Sequence, residues 1–167
     1  MNRILIIGCS GGGKSTLARA LGVKLALPVF HLDKLWWQPG WVELGHEIFR
    51  PLVRNLVAEE RWVIDGNYSD TWDIRMPRAD MIIWVDLPRR VCLWRVFRRA
   101  VTQLGTVRSD MARGCPERLD LEFFLYVWSF RKKNEKRIEA ALREYGQDAR
   151  IIRVRSDSEA AVLLTRV

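Results

Sequence analysis

Ile4-Leu5-Ile6-Ile7-Gly8-Cys9-Ser10-Gly11-Gly12-Gly13-Lys14-Ser15-Thr16-Leu17-Ala18-Arg19-Ala20-Leu21 runs from an apolar, β-branched stretch through a glycine-rich turn into a helical pattern. A strand, a turn and a helix in that order, with Lys-Ser closing the turn, is the context a phosphate-binding loop requires. Glycines let backbone N–H groups curl around a phosphate, Lys14 reaches the β- and γ-phosphates, and the Ser15 hydroxyl ligates Mg²⁺. The helix that follows aims its positive end at the same anion. The stretch predicts a nucleoside triphosphate site built from Gly8, Cys9, Ser10, Gly11, Gly12, Gly13, Lys14, Ser15 and Thr16, with ATP and Mg²⁺ as the expected cofactors. At Cys9 the backbone matters more than the thiol.

Outward from the loop, four further apolar runs read as strands: Val29–Leu32, Trp62–Ile64, Met81–Val85 and Arg150–Val154, after Arg3–Ile7. Helical patterns alternate with them. Ser15–Lys24 spaces Leu17, Leu21 and Leu25 four apart, Phe49–Val57 holds Pro51 as an opening or kinking residue, Arg89–Leu104 follows Leu87-Pro88, and Asp120–Tyr145 runs to Gly146 as its terminal glycine. Ser156-Asp157-Ser158-Glu159 is a capping box before a last short helix. Strands and helices in alternation imply a three-layer α/β fold, a five-stranded parallel sheet with helices on both faces and ligands at the carboxyl ends of the strands. Those ends carry Asp33, Asp65-Gly66-Asn67 and Asp86, so three carboxylates are expected to converge on the phosphate site.

A length of 167 residues fits one domain that can bury about 70% of its unfolded surface without disulfides or metal. The three cysteines, Cys9, Cys92 and Cys115, are odd in number and widely spaced, which argues against a disulfide framework and a zinc site. No leader pattern or apolar stretch of membrane-spanning length is visible, so a cytoplasmic protein that does not engage membranes, monomeric or homodimeric, is expected.

The formal net charge of +8 is very uneven. Arg89, Arg90, Arg95, Arg98, Arg99, Arg108, Arg113 and Arg118 stand against Asp110 and Glu117 with no lysine between, so one segment carries most of the excess. Arginine meets phosphate oxygens two at a time and keeps its proton, so an all-arginine segment reads as phosphate recognition. Arg89 and Arg90 read instead as the decorated start of a helix. Nucleic-acid binding asks for a basic face or a reading motif, and neither is apparent.

The loop, Asp65-Gly66, the Arg95/Arg99 pair and the arginine-rich segment together resemble the adenylate kinase group of P-loop kinases, which includes shikimate and gluconate kinases. Three stretches are more specific still: His31-Leu32-Asp33-Lys34-Leu35-Trp36-Trp37-Gln38-Pro39-Gly40-Trp41, Trp62-Val63-Ile64-Asp65-Gly66-Asn67-Tyr68 and Asp110-Met111-Ala112-Arg113-Gly114-Cys115-Pro116-Glu117-Arg118. They resemble bacterial proteins that carry the name DNA topology modulation protein. The resemblance implies that Asp65 holds Mg²⁺ beside Ser15 and that Arg95 and Arg99 clamp phosphates. It also implies that residues 34–60 cover the acceptor and that residues 105–119 form a short lid, with Arg108, Arg113 and Arg118 as weaker phosphate contacts. Asn67-Tyr68 departs from the acceptor-nucleotide contact of adenylate kinases.

Asp33 matches the carboxylate that related small-molecule kinases hold against the acceptor, and it suits a hydroxyl rather than an already ionised phosphate; the alternative is a helix cap. His31 reads as structural, as does Asp86 before Leu87-Pro88. Trp36, Trp37 and Trp41 read as hydrophobic support of the acceptor cover or as a stacking surface. Ser156-Asp157 is a candidate adenine contact.

The expected activity is transfer of the γ-phosphoryl group of Mg·ATP to a small acceptor, a nucleotide, a nucleoside or another hydroxyl compound, with Lys14, Asp33, Arg95 and Arg99 as catalytic residues. The alternatives are an ATP-dependent DNA-associated protein and a nucleotide-binding protein without transfer.

Overall fold

The computed structural model describes residues 1–167. β1 (Arg3–Gly8) leads to α1 (Lys14–Leu25), then β2 (Val29–His31), α2 (Leu32–Trp36), the hairpin β3 (Trp37–Gln38) and β4 (Val42–Glu43), and α3 (His46–Ala58). The second half holds β5 (Trp62–Asp65), α4 (Trp72–Arg75) between two 3₁₀ turns, β6 (Met81–Val85), α5 (Arg89–Thr102), α6 (Leu121–Tyr145), β7 (Arg150–Val154) and α7 (Asp157–Arg166). The five long strands form one parallel sheet in the order β2-β5-β1-β6-β7, with helices on both faces, as the alternating pattern predicts.

The sheet is central because its strands are apolar without alternation. Ile4, Leu5, Ile6 and Ile7 are fully buried, as are Val63, Ile64, Ile82 and Ile83, the pattern of parallel strands covered on both faces. α1 turns Leu17, Ala18 and Leu21 inward; α5 turns Cys92, Val96 and Ala100 inward, and α6 Val127, Phe130 and Ile138. No helix is long and apolar enough to cross a membrane.

Register places the site. His31 pairs with Asp65, Ile6 pairs with Asp65 from the other side, and Gly8 pairs with Val85. The carboxyl ends of β2, β5 and β1 therefore lie side by side, and the loop after β1 opens over them.

Several local details depart from the sequence pattern. β2 ends at His31, one residue early, so Asp33 stands in the first turn of α2 instead of on a strand end. α3 starts at His46 behind Gly45 and carries Pro51 inside it, because Phe49, Val53 and Val57 bury a continuous apolar stripe that outweighs the hydrogen bond lost at proline. Gly146 is not left-handed (φ −103°); a Cβ there would meet Leu142 O at 2.9 Å, so close packing and not turn geometry calls for glycine. Ser156 caps α7 through Glu159 N–H at 3.1 Å, while the Glu159 carboxylate reaches Arg155 N–H, one residue before the usual partner.

Residues 105–119 and the β3–β4 hairpin pack on each other. Gly40 N–H donates to Gly114 O at 2.9 Å, Trp41 Nε1 to Pro116 O at 3.2 Å and Cys115 Sγ to Gln38 O at 3.1 Å. Met111, Ala112 and Cys115 form a small apolar cluster against Trp37 and Trp41, separate from the main core.

Candidate active site

A cavity of about 1190 Å³ opens at the carboxyl end of the sheet, between the loop after β1, the 66–69 loop, α5, α6 and the 105–119 segment. It is large enough for two small ligands side by side. Lys14, Ser15, Thr16, Asp33, Asp65, Arg95 and Arg99 all line it.

The loop has the geometry a phosphate cradle needs. Gly11 (φ +78°) presses against α5, where a Cβ would meet Cys92 O at 2.4 Å. Gly13 (φ +92°) is the residue before α1 and offers no side chain to cap it, so the first N–H groups of the helix face the cavity uncapped. Lys14 Nζ donates to Cys9 O at 3.0 Å across the loop. The Cys9 thiol is buried and its carbonyl carries the contact, in line with a backbone role.

Ser15 Oγ donates to Asp65 Oδ2 at 2.7 Å, and His31 Nδ1 lies 2.5 Å from Asp65 Oδ1. Asp65 is 4% exposed. Its two oxygens are thus shared between the loop hydroxyl and a histidine, which gives His31 a positioning task. Asp110 joins them from the 105–119 segment: burial raises its pKa, but Arg108 at 3.0 Å and the Ser15 hydroxyl outweigh burial and hold the carboxyl below its ordinary range. No group of three or more His, Cys, Asp or Glu side chains could hold a metal by itself. A hydroxyl and a carboxylate on hard oxygens suit a magnesium ion that takes its remaining ligands from water and phosphate.

Asp33 is half-buried and accepts a hydrogen bond from Tyr68 Oη at 2.6 Å. It caps no helix, since the cap position of α2 is His31. Burial pushes its pKa up against the opposing pull of Tyr68 and Lys14. Tyr68 stands at φ +22°, a conformation that bulky residues rarely adopt. It is held there by Arg75, fully buried, which donates to Gly66 O (2.9 Å), Asn67 O (2.8 Å), Tyr68 O (3.0 Å) and Thr71 Oγ1 (2.8 Å). Arg75 has no carboxylate partner, and burial lowers its pKa. Neither Arg75 nor the Tyr68–Asp33 bond is signalled in the sequence beyond the Asp65-Gly66-Asn67-Tyr68 run itself.

On the opposite wall, Arg95 Nη2 lies 2.5 Å from Asp157 Oδ2, tying α5 to the start of α7. Arg99 Nε and Arg108 Nε lie 3.0 Å and 2.6 Å from Glu117 Oε1, but neither N–H is aligned to donate. Two guanidinium groups thus share one buried carboxylate and keep donors free for an anion. Glu117 was not among the expected site residues. Arg118 lines the cavity beside Trp41, whereas Arg113 lies outside it.

Of the three strand-end carboxylates expected to converge, Asp33 and Asp65 line the cavity and Asp86 does not. Asp86 is bound by Arg153 at 2.9 Å and 2.7 Å and does not line the cavity, which agrees with its structural reading. Trp36 packs against Phe49 and Tyr68, Trp37 and Trp41 support the 105–119 segment, and all three line the cavity.

No protein-family model matches the chain. A curated relative, "Uncharacterized protein YqaC" of Bacillus subtilis (strain 168), is 26% identical over 104 residues, covering 61% of this chain and 58% of the relative; the chain thus spans little more than half the length of the relative it matches. Among solved structures, a shikimate kinase from Acinetobacter baumannii in complex with shikimate matches with a TM-score of 0.64 at 18% identity, over 99% of this chain and 90% of that one. A shikimate kinase from Bacteroides thetaiotaomicron matches at 0.60 and 18% over 99% and 95%. Deoxyadenosine kinase from M. mycoides with bound dATP matches at 0.54 and 13% over 98% of each chain. The fold is a P-loop kinase-like fold. The resemblance to DNA topology modulation proteins is not confirmed by these relatives.

Proposed function

We propose that this chain is a Mg·ATP-dependent phosphotransferase acting on a hydroxyl of a small molecule. The observation that carries the reading is Asp33, which lines the same cavity as Lys14 and is held by the Tyr68 hydroxyl at 2.6 Å with its pKa raised by burial. A carboxylate made more basic by burial is suited to orient a hydroxyl and take its proton, a service that an ionised phosphate acceptor does not need.

The loop amides and Lys14 bind the β- and γ-phosphates of the donor. Ser15 and Asp65 would hold Mg²⁺, a fit supported by the 2.7 Å contact between their oxygens. When bound, the ion neutralises charge on the phosphate oxygens. Asp33 aligns the acceptor oxygen and accepts its proton as that oxygen bonds to the γ-phosphorus and the bond to the leaving ADP oxygen breaks. Arg95 and Arg99 stabilise the charge that develops on the transferring group, joined by Arg108. Residues 105–119 act as the lid and 34–60 as the acceptor cover; closing them excludes water that would otherwise take the phosphoryl group.

Acceptor-dependent ADP release over a panel of nucleosides, nucleotides and small hydroxy acids and sugars, with Lys14→Ala as the blank, tests this reading. Release that depends on one acceptor class and vanishes in the blank supports it. Nucleotide binding with no release above the blank for any acceptor favours a nucleotide-binding protein without transfer.

A further inference from the structure

α5 and α6 are apolar on two sides, and only one of these faces the core. Outward, Trp94, Phe97 and Val101 on α5, with Leu104 just beyond it, and Leu121, Leu125 and Trp128 on α6 are exposed, from 46% at Phe97 to 73% at Leu121. The two sets adjoin. The Phe97 ring lies 6.1 Å from Trp94 and 6.4 Å from Phe124 of α6, and Arg89 at the start of α5 covers Trp128 at 4.1 Å.

The spacing of these residues gathers them on one side of each helix. Positions 94, 97, 101 and 104 step by three, four and three, and positions 121, 125 and 128 by four and three. Within each helix this is the three-and-four spacing that gathers apolar side chains on one face, and Leu104 extends it just past the end of α5.

We propose that the outward face of α5 and α6 is the interface of a two-fold dimer, occupied by the same face of a second copy of this chain. The area fits: the exposed parts of the seven side chains come to roughly 700–800 Å², close to the ~800 Å² that each partner contributes to a standard stable interface. It also exceeds the few hundred Å² usually left bare on a monomer. None of the seven apolar residues lines the cavity, which α5 meets through Arg95 and Arg99 and α6 through Glu122, Phe123, Tyr126, Asn134 and Arg137. Both cavities of the dimer stay open. The proposal does not depend on the kinase reading.

Sedimentation of the full chain across micromolar to sub-millimolar concentrations tests it. The expected species is twice the 19.5 kDa chain mass. Trp94→Glu and Leu125→Glu each return it to a single chain mass, while Val23→Glu, on the 85% exposed face of α1, leaves it dimeric. Circular dichroism and the thermal transition report whether the charged variants fold. Trp94→Ala and Leu125→Ala introduce no charge and are expected to weaken the dimer about tenfold or more. A wild-type chain that stays at single mass throughout, or a dimer indifferent to both alanine variants, overturns the proposal. So does a monomer that binds anionic phospholipid vesicles through these residues, which assigns the face to a lipid surface.

Discussion

Tyr68 donates its phenolic hydrogen to Asp33 at 2.6 Å, joining the end of β5 to the start of α2 across the mouth of the cavity. The bond favours the ionised carboxylate while burial opposes it, and burial is the larger effect. Tyr68→Phe removes the donor and leaves the ring in place. Loss of a hydrogen bond to a charged group costs about 1.5–3 kcal/mol, so the acid limb of the kcat/KM profile is expected to move up by about one pH unit or more, while ATP affinity stays as in the wild type. An unmoved profile would mean that Asp33 does not titrate in the reaction.

Asp33 also imposes a pH dependence on stability with a definite sign. Its folded pKa lies above the unfolded value, so between the two the folded state binds more protons, and stability falls as pH rises through that window. Asp33→Asn removes the buried charge and is expected to melt higher than the wild type at neutral pH, with the gap closing under acid conditions. Melting curves at several pH values check this; a variant less stable at every pH contradicts it.

Arg75 is a fully buried cation that satisfies three carbonyls of the 66–68 loop. Arg75→Met leaves those acceptors unpaired in the interior and should cost about 3–5 kcal/mol of stability in urea unfolding. Arg75→Lys keeps the charge with fewer donors and is expected to fall between. A methionine variant as stable as the wild type would remove the clamp from the account.

Glu117 sits between Arg99 and Arg108 with its carboxylate within 3.0 Å of both. Glu117→Gln leaves two unbalanced guanidinium groups beside the phosphate site. The expected outcome is tighter binding of free ATP together with a several-fold lower kcat, because the arginines lose the anchor that aims them. Isothermal titration alongside steady-state kinetics separates the two effects.

Much of this architecture is legible in the sequence. The continuous apolar runs at Ile4–Ile7 and Met81–Val85 have no polar face to expose, so a covered parallel sheet follows, and the Gly-Lys-Ser turn after the first run locates the ligand end. The β3–β4 hairpin is not legible, because strands of two residues carry no periodicity; what fixes it is its docking on Gly114, Cys115 and Pro116. Arg75 is hidden for a similar reason. In sequence it is one of 28 Lys and Arg residues, and only the fold buries it beneath the loop that carries Tyr68. Asp86 follows an apolar strand as Asp65 does, but the Leu87-Pro88 after it reads as a structural turn, and Arg153 from the neighbouring β7 holds its carboxylate.

The central claim is that the cavity transfers a phosphoryl group to a hydroxyl oriented by Asp33. The most direct test measures ATP affinity and acceptor-dependent ADP release in parallel for the wild type and Asp33→Asn, with the phosphorylated product identified by phosphorus NMR. A phosphate monoester as product, with turnover falling about 10²-fold or more in the variant while ATP affinity holds within a few-fold, is the predicted result. Equal losses in both, or full turnover without the carboxylate, would contradict the account.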